Sequence, residues 1–294
     1  MASLYARRVA FARGETYNHS LKMDYLERIN KTLDRSSVLI SSLGDVSLAT
    51  DALLREGADV LVVDIAHGHS DLAINTVKAI KERYPFVQLI AGNVATAEGT
   101  EALIQAGADA IKVGVGPGAG CITRVVAGAG VPQLTAVLDA VAIAQKYNVP
   151  IIADGGIKNS GDVAKALAAG ASTVMCGSMF AGTDETPGYV VLRHGKRYKE
   201  YRGSASAEAN HARRERETGK IIKDKLEYTP EGVSGYVPYK GSVLEVLSEL
   251  VNGLRSGISY CGATNIFEMQ QNASFVRITA SGMRESKPHD IEER

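Results

Sequence analysis

A cysteine set in a run of alternating glycines is the residue of this chain best suited to covalent chemistry. The segment GVGPGAGCITR, residues 114–124, places Gly114, Gly116, Gly118 and Gly120 ahead of Cys121. Glycine lets the backbone approach a ligand or ion closely. A partly exposed thiol near backbone N–H groups favours the thiolate, which is the nucleophilic form. The bland alternative is a flexible loop with an incidental cysteine, since cysteines are more often buried and inert.

Two further segments carry the residue types of a phosphate site. IADGGI at 152–157 gives an aspartate followed by two glycines, and MCGSMF at 175–180 gives a Gly-Ser pair. Adjacent strand-end loops of this composition hold phosphates through backbone amides. Gly156, Gly177 and Ser178 are the candidate anion contacts, and Asp154 is the candidate acceptor for ribose hydroxyls. Ordinary turn chemistry explains the same residues less specifically. DIAHGHS at 64–70 puts Asp64, His67 and His69 at another strand end. His-x-His invites a metal, yet no third ligand follows at suitable spacing, so pocket lining is preferred. Asn93 ends the next strand, where its amide could meet a ring or a nicotinamide. Cys176 reads as a mid-strand core residue.

The elements that must position these groups are short β-branched runs: VLISS at 38–42, ADVLVVDI at 58–65, VQLIAGN at 87–93, DAIKVGVG at 109–116, VPIIADGG at 149–156 and STVMCGS at 172–178. Between them lie Ser70–Arg83, Thr96–Gly107 and Ser160–Gly170, apolar at three- and four-residue spacing. Continuous apolar strands separated by helices indicate a parallel sheet covered on its outer face. Their regular recurrence, each strand ending in a loop-starting residue, suits a (β/α)₈ barrel of α/β class with its site at the strand C-termini. An open doubly wound sheet would usually carry GxGxxG after its first strand, and none is present. Only six strands are legible, so two barrel strands are missing from the count. Residues 1–36 read as a helical or coil segment, with Leu21, Tyr25, Leu26, Ile29 and Leu33 at helical spacing. Residues 37–294 read as the barrel domain, with a polar stretch at about 190–240 expected to be a mobile flap. An amphipathic helix is expected near Ser242–Leu254, then a polar tail.

Bulk properties narrow the class. The chain has 294 residues, 33 Lys plus Arg against 33 Asp plus Glu, and 45% hydrophobic residues. A neutral balance carries no electrostatic footprint for nucleic acid or an anionic membrane. No apolar run reaches the ~18 residues of a membrane span. Cys121, Cys176 and Cys261 show no CxxC spacing, which fits free thiols in a reducing compartment and a cytoplasmic enzyme. The alternative for the Arg-containing N-terminus is a transit peptide.

Taken in order, these segments resemble the IMP dehydrogenase/GMP reductase family. The resemblance runs from about Val38 to Asp290 and rests on GPGxxCxTR, ADGGI, CGSMFA, YKEYRGSAS and EGVSGYVPYKGS. It implies a (β/α)₈ barrel assembling as a homotetramer on a purine nucleotide, GMP or IMP. Cys121 would attack C2 of the base to give a covalent thioimidate. Asp154, Gly156, Gly177, Ser178 and Tyr201 would hold phosphate and ribose, with Gly203, Ser204 and Ala205 near the base. Thr123 and Glu231 would assist proton transfer. Asp64, Asn93 and Arg124 would meet the nicotinamide cofactor, NADPH or NAD. The carbonyls of Gly116, Gly118 and Cys121 match the family's potassium loop.

Two reactions share that apparatus. A dehydrogenase oxidises IMP with NAD and hydrolyses the thioimidate with an Arg-Tyr pair on its flap. A GMP reductase expels ammonia from GMP and takes hydride from NADPH, with no such water catalyst. Here the Arg-Tyr position holds Gly219-Lys220, and DIAHGHSD and KEYRGSAS look like reductases, whereas TRVVAGAGVPQ and RESKPHD are closer to dehydrogenases. Replacing an arginine by glycine removes charge and donors, which favours GMP reductase. The dehydrogenase alternative would use Arg213, Arg214 or Arg216. Ala119 stands where the family has a serine, costing one phosphate contact. The family's first two strands and regulatory CBS pair have no match, so a truncated or catalytically silent nucleotide-binding subunit is the third expectation.

Overall fold

The computed structural model describes residues 38–40, 46–218 and 229–288. Six short strands form one parallel sheet in chain order: β1 (Val38–Ile40), β2 (Val60–Asp64), β3 (Gln88–Val94), β4 (Ala110–Val113), β5 (Ile151–Asp154) and β6 (Thr173–Met175). Each of the six apolar runs legible in the sequence supplies one of them. Consecutive strands are linked by helices α1 (Val46–Arg55), α2 (Asp71–Arg83), α3 (Ala97–Gln105), α5 (Gln133–Ala144) and α6 (Ser160–Ala168), with the short α4 (Thr123–Val126) inside the β4–β5 connection. Parallel strands joined by crossover helices bury both sheet faces, which is why these strands read as unbroken apolar runs rather than alternating ones.

The helix starts follow from local chemistry. Ser70, Thr96 and Asn159 each stand in extended backbone just before α2, α3 and α6. Their side-chain oxygens accept the N–H groups of Ala73 at 3.3 Å, Gly99 at 3.1 Å and Asp162 at 3.0 Å. These are donors the helix cannot satisfy internally. Inside the sheet, Leu61 pairs laterally with Leu89 and Ile111 with Ile151, all fully buried. Val77 and Ile80 of α2, Leu103 of α3, Val137 of α5 and Leu167 of α6 pack against them. Among the described residues β1 and β6 are not paired with each other.

The segment 190–240 carries elements that the sequence did not announce. It holds an antiparallel sheet of β7 (Val190–Arg193), β8 (Lys196–Arg202) and β9 (Ser234–Pro238), plus helix α7 (Ala207–Thr218). A polar, two-sided hairpin lacks the apolar runs that flag a buried strand, so composition alone hid it. Helix α8 (Val243–Tyr260) begins at its expected serine cap but runs six residues past Leu254. Two short helices follow, α9 (Ile266–Asn272) and α10 (Ala280–Glu285), the second overlapping the start of the expected polar tail. The expectation for residues 1–36 lies outside the described residues, as do Gly219-Lys220.

Candidate active site

The strand ends of the parallel sheet bring four polar side chains together. Asp64 closes β2, Asn93 is the penultimate residue of β3, Lys112 sits in β4 and Asp154 closes β5. Lys112 Nζ lies 3.0 Å from Asp64 Oδ1 and also contacts Asp154 Oδ2. Asn93 Nδ2 donates to Asp154 Oδ2 at 3.0 Å and to the Gly114 carbonyl at 2.7 Å. Gln133, at the start of α5, donates to the carbonyls of Val113 at 2.9 Å and Asp154 at 3.2 Å. A buried lysine is normally excluded by its hydration, and here two carboxylates compensate it.

The thiol sits in the loop that leaves β4. Cys121 is half-buried and free. Its Sγ donates to Thr123 Oγ1 at 3.2 Å, and Thr123 Oγ1 donates to Glu231 Oε2 at 2.8 Å. Thiol, hydroxyl and carboxylate therefore form one proton path. The path exists because three loops are joined through their backbones. Ile122 N–H donates to the Glu231 carbonyl at 2.8 Å, Val233 N–H to the Gly120 carbonyl at 2.9 Å, and Gly203 N–H to the Val233 carbonyl at 3.0 Å. The approach at Gly232 is close enough to demand glycine. A Cβ there would stand 2.8 Å from Ser206 N and 2.9 Å from the Ala205 carbonyl carbon.

The remaining sequence-predicted residues divide clearly. Tyr201 of β8 lies against Gly120, its Cε1 only 2.9 Å from where a Cβ would be. Gly203, Ser204 and Ala205 occupy the turn closed by Ser206 N–H on the Gly203 carbonyl at 3.0 Å, beside the thiol loop. Gly155 and Gly156 pack on Pro117 of the same loop, and Gly155 N–H donates to the Met175 carbonyl at 3.2 Å, linking the ends of β5 and β6. Gly177 and Ser178 begin the loop after β6, where Phe180 N–H donates to the Gly177 carbonyl at 3.1 Å. Arg124 turns back on its own loop, its guanidinium donating to the carbonyls of Val131 at 2.5 Å and Val115 at 3.4 Å. Asn93 uses its amide within the protein and thereby fixes Asp154. The rings of His67 and His69 are 6.5 Å apart. Among the described residues no group of three His, Cys, Asp or Glu could hold a metal ion.

Cys176 falls one residue beyond β6 rather than inside a strand, and it is half-buried rather than core. Strand β6 stops at Met175 because the chain must turn there into the Gly-Ser loop. Burial pushes the Cys176 thiol up from its ordinary value, and nearby Asp154 adds to the rise. That thiol stays protonated and unreactive.

Sequence reasoning missed Lys112 and Gln133. A lysine within the otherwise apolar run AIKVGVG was the available signal, since an unpaired charge cannot occupy a strand buried on both faces. Gln133 gave no signal.

Asp64 retains one carboxylate oxygen without a hydrogen bond among the described residues, available to a ribose or carboxamide donor. The Gly118 carbonyl already accepts the Cys121 N–H at 3.0 Å, and a carbonyl oxygen has a second lone pair for an alkali cation.

A family model for the IMP dehydrogenase / GMP reductase domain matches residues 33–289. The inosine-5'-monophosphate dehydrogenase of Nitrosopumilus maritimus is 57% identical over 250 residues, covering 84% of this chain and 52% of that protein. The GMP reductase of Leishmania donovani is 57% identical over 244 residues, covering 82% of this chain and 49% of that protein. The chain thus spans about half the length of the curated relatives it matches. Among solved structures, a cysteine-to-alanine variant of GMP reductase from Trypanosoma brucei, in complex with guanosine 5'-monophosphate, superposes with a TM-score of 0.80. It is 50% identical and the match covers 90% of this chain and 56% of that one. The six β/α units are those of a (β/α)₈-barrel fold.

Proposed function

The chain belongs to the IMP dehydrogenase/GMP reductase family, and we propose that it acts as a GMP reductase, converting GMP to IMP and ammonia with NADPH as reductant. The observation that carries this reading is the line from Cys121 Sγ through Thr123 Oγ1 to Glu231 Oε2. Along it the thiol proton passes to Glu231, leaving a thiolate to add to C2 of the guanine. As the C2 amino group departs, the same proton returns through Thr123 to the leaving nitrogen, so ammonia forms and a C2–sulfur thioimidate remains. NADPH, when bound, supplies a hydride to C2. The carbon–sulfur bond then breaks, IMP is released, and a solvent proton restores the thiol. Asp154 would accept the ribose hydroxyls, the amides of Gly156, Gly177 and Ser178 would hold the phosphate, and Tyr201 would close the substrate side. Asp64 would face the cofactor.

The choice of reductase rests on the sequence at the flap, where Gly219-Lys220 supplies no arginine to activate water. The GMP complex of the structural neighbour supports the same choice of substrate. Dehydrogenase relatives of equal identity favour the second reading, oxidation of IMP with NAD. One spectrophotometric comparison decides between them. GMP plus NADPH should consume NADPH and yield ammonia and IMP, while IMP plus NAD should give no NADH. The reverse pattern establishes the dehydrogenase, and binding of GMP or IMP without turnover in either assay establishes a silent nucleotide-binding subunit. The same proposal includes homotetrameric assembly and a potassium ion on the carbonyls of Gly116, Gly118 and Cys121, which light scattering and a potassium titration of turnover test.

A further inference from the structure

We propose that Lys112 is a positioning residue that joins Asp64 and Asp154 into one unit, so that the two carboxylates are aimed together by a single buried ammonium. Strand register carries the argument. Asp64 of β2 pairs laterally with Gly92 of β3, and Gly92 pairs with Lys112 of β4. The lane between the carboxylate and the lysine is therefore occupied by the one residue without a side chain. A Cβ on Gly92 would stand 2.5 Å from the Lys112 carbonyl oxygen and 2.7 Å from Lys112 Cβ. Across that lane Lys112 Nζ reaches Asp64 Oδ1 at 3.0 Å, and on its other side it meets Asp154 Oδ2 at the end of β5.

The charges are unequally exposed. The Lys112 side chain is 4% exposed, against 23% for Asp64 and 19% for Asp154. The cation is thus sealed in the sheet while each anion keeps a face toward the loops that carry the candidate site. Asp154 Oδ2 is doubly held, by Lys112 and by Asn93 Nδ2 at 3.0 Å. Its Oδ1, and Asp64 Oδ2, take part in no hydrogen bond among the described residues. Each carboxylate therefore has one oxygen committed inward and one left for an external donor, and the ammonium sets both orientations. Without Lys112 two carboxylates would face each other across an empty lane, and mutual repulsion would turn at least one away.

A purely structural ion pair would strengthen the fold without linking the two sides. This proposal rests on the reading of Asp154 as a nucleotide contact and Asp64 as a cofactor contact, and the experiment separates the two. GMP is titrated calorimetrically into the full chain and into Lys112→Met, Lys112→Arg, Asp64→Asn and the Lys112→Met/Asp64→Asn double variant, each checked for its thermal transition. Lys112→Met should weaken GMP binding by roughly 10- to 100-fold, the scale of a lost charge-assisted hydrogen bond, and Lys112→Arg should recover most of it. Asp64→Asn should weaken GMP binding several-fold in the parent chain, whereas in the Lys112→Met background it should weaken it no further and recover part of the loss, because it removes one of the two carboxylates that the lysine no longer holds together. Additive effects, or GMP affinity unchanged in Lys112→Met, overturn the proposal. If Lys112→Met does not fold, Lys112→Gln, which keeps a donor but no charge, replaces it with the same expectations. If the parent chain binds neither GMP nor IMP, the functional reading has failed. The linkage is then read from urea unfolding of Asp64→Asn and Asp154→Asn, singly and combined. Non-additivity that disappears with Lys112→Met supports the linkage, and additivity refutes it.

Discussion

At the ends of β2 to β5 polar groups are fixed by charge, whereas around Cys121 they are fixed by backbone hydrogen bonds between loops. Asp64, Lys112 and Asp154 sit on neighbouring strands, so the sheet register sets their separation and the ammonium sets their aim. Thr123 and Glu231 are 108 residues apart in the chain, and the backbone bonds of Ile122 to Glu231, Val233 to Gly120 and Gly203 to Val233 hold them in line with Cys121. The difference divides the labour of the site. Strand ends give a rigid floor of polar groups, and loops carry the candidate nucleophile, whose alignment depends on a few close backbone approaches.

Two substitutions and one labelling experiment break or sharpen this contrast. Cys121→Ala should lower kcat by roughly a thousandfold or more while nucleotide binding survives, since it removes the nucleophile and leaves the strand-end floor intact. Single-turnover rates and equilibrium titration on the same variant check both halves. Gly232→Ala should be the intermediate case. Its Cβ meets Ser206 N at 2.8 Å, so the loops must part at a cost of about 1–3 kcal/mol. The loss should fall on kcat rather than on the thermal transition of the barrel. A fall in nucleotide affinity larger than that in kcat would show that loops and floor are not separable. The smallest effect compares the two half-buried thiols near the site. Burial and Asp154 raise the Cys176 thiol above its ordinary value of 9.0, so its thiolate is scarce below that pH and grows only above it. Iodoacetamide at neutral pH should label Cys121 first, with Cys176 following as pH passes 9. Mass spectrometry of the peptides would reveal the opposite order if Cys121 were the inert thiol.

Much of this arrangement was legible beforehand, and the failures have definite causes. All six parallel strands were visible because burial on both faces demands continuous apolar runs such as VLVVD and QLIAGNV. Three of their helices were visible from the three- and four-residue apolar spacing of Ser70–Arg83, Thr96–Gly107 and Ser160–Gly170. Cys121, Asp154 and the glycine loops were visible because their chemistry is written in contiguous residues. The antiparallel sheet was not, since β8 reads KRYKEYR and is largely exposed, with no periodic apolar face to betray it. Lys112 was passed over because a single charge in an apolar run names no partner until the neighbouring strands are known.

By itself the sequence determined the order of the β/α units, the candidate nucleophile and the loops proposed to approach a phosphate, because these depend on local propensity and on residues adjacent in the chain. Only the tertiary structure decided that Thr123 meets Glu231 and that Gly92 opens a lane for Lys112 between Asp64 and Asp154. Those relations are matters of register and long-range backbone pairing. They join residues far apart in the chain, and the free energy that fixes them comes from burying the whole sheet rather than from any one segment.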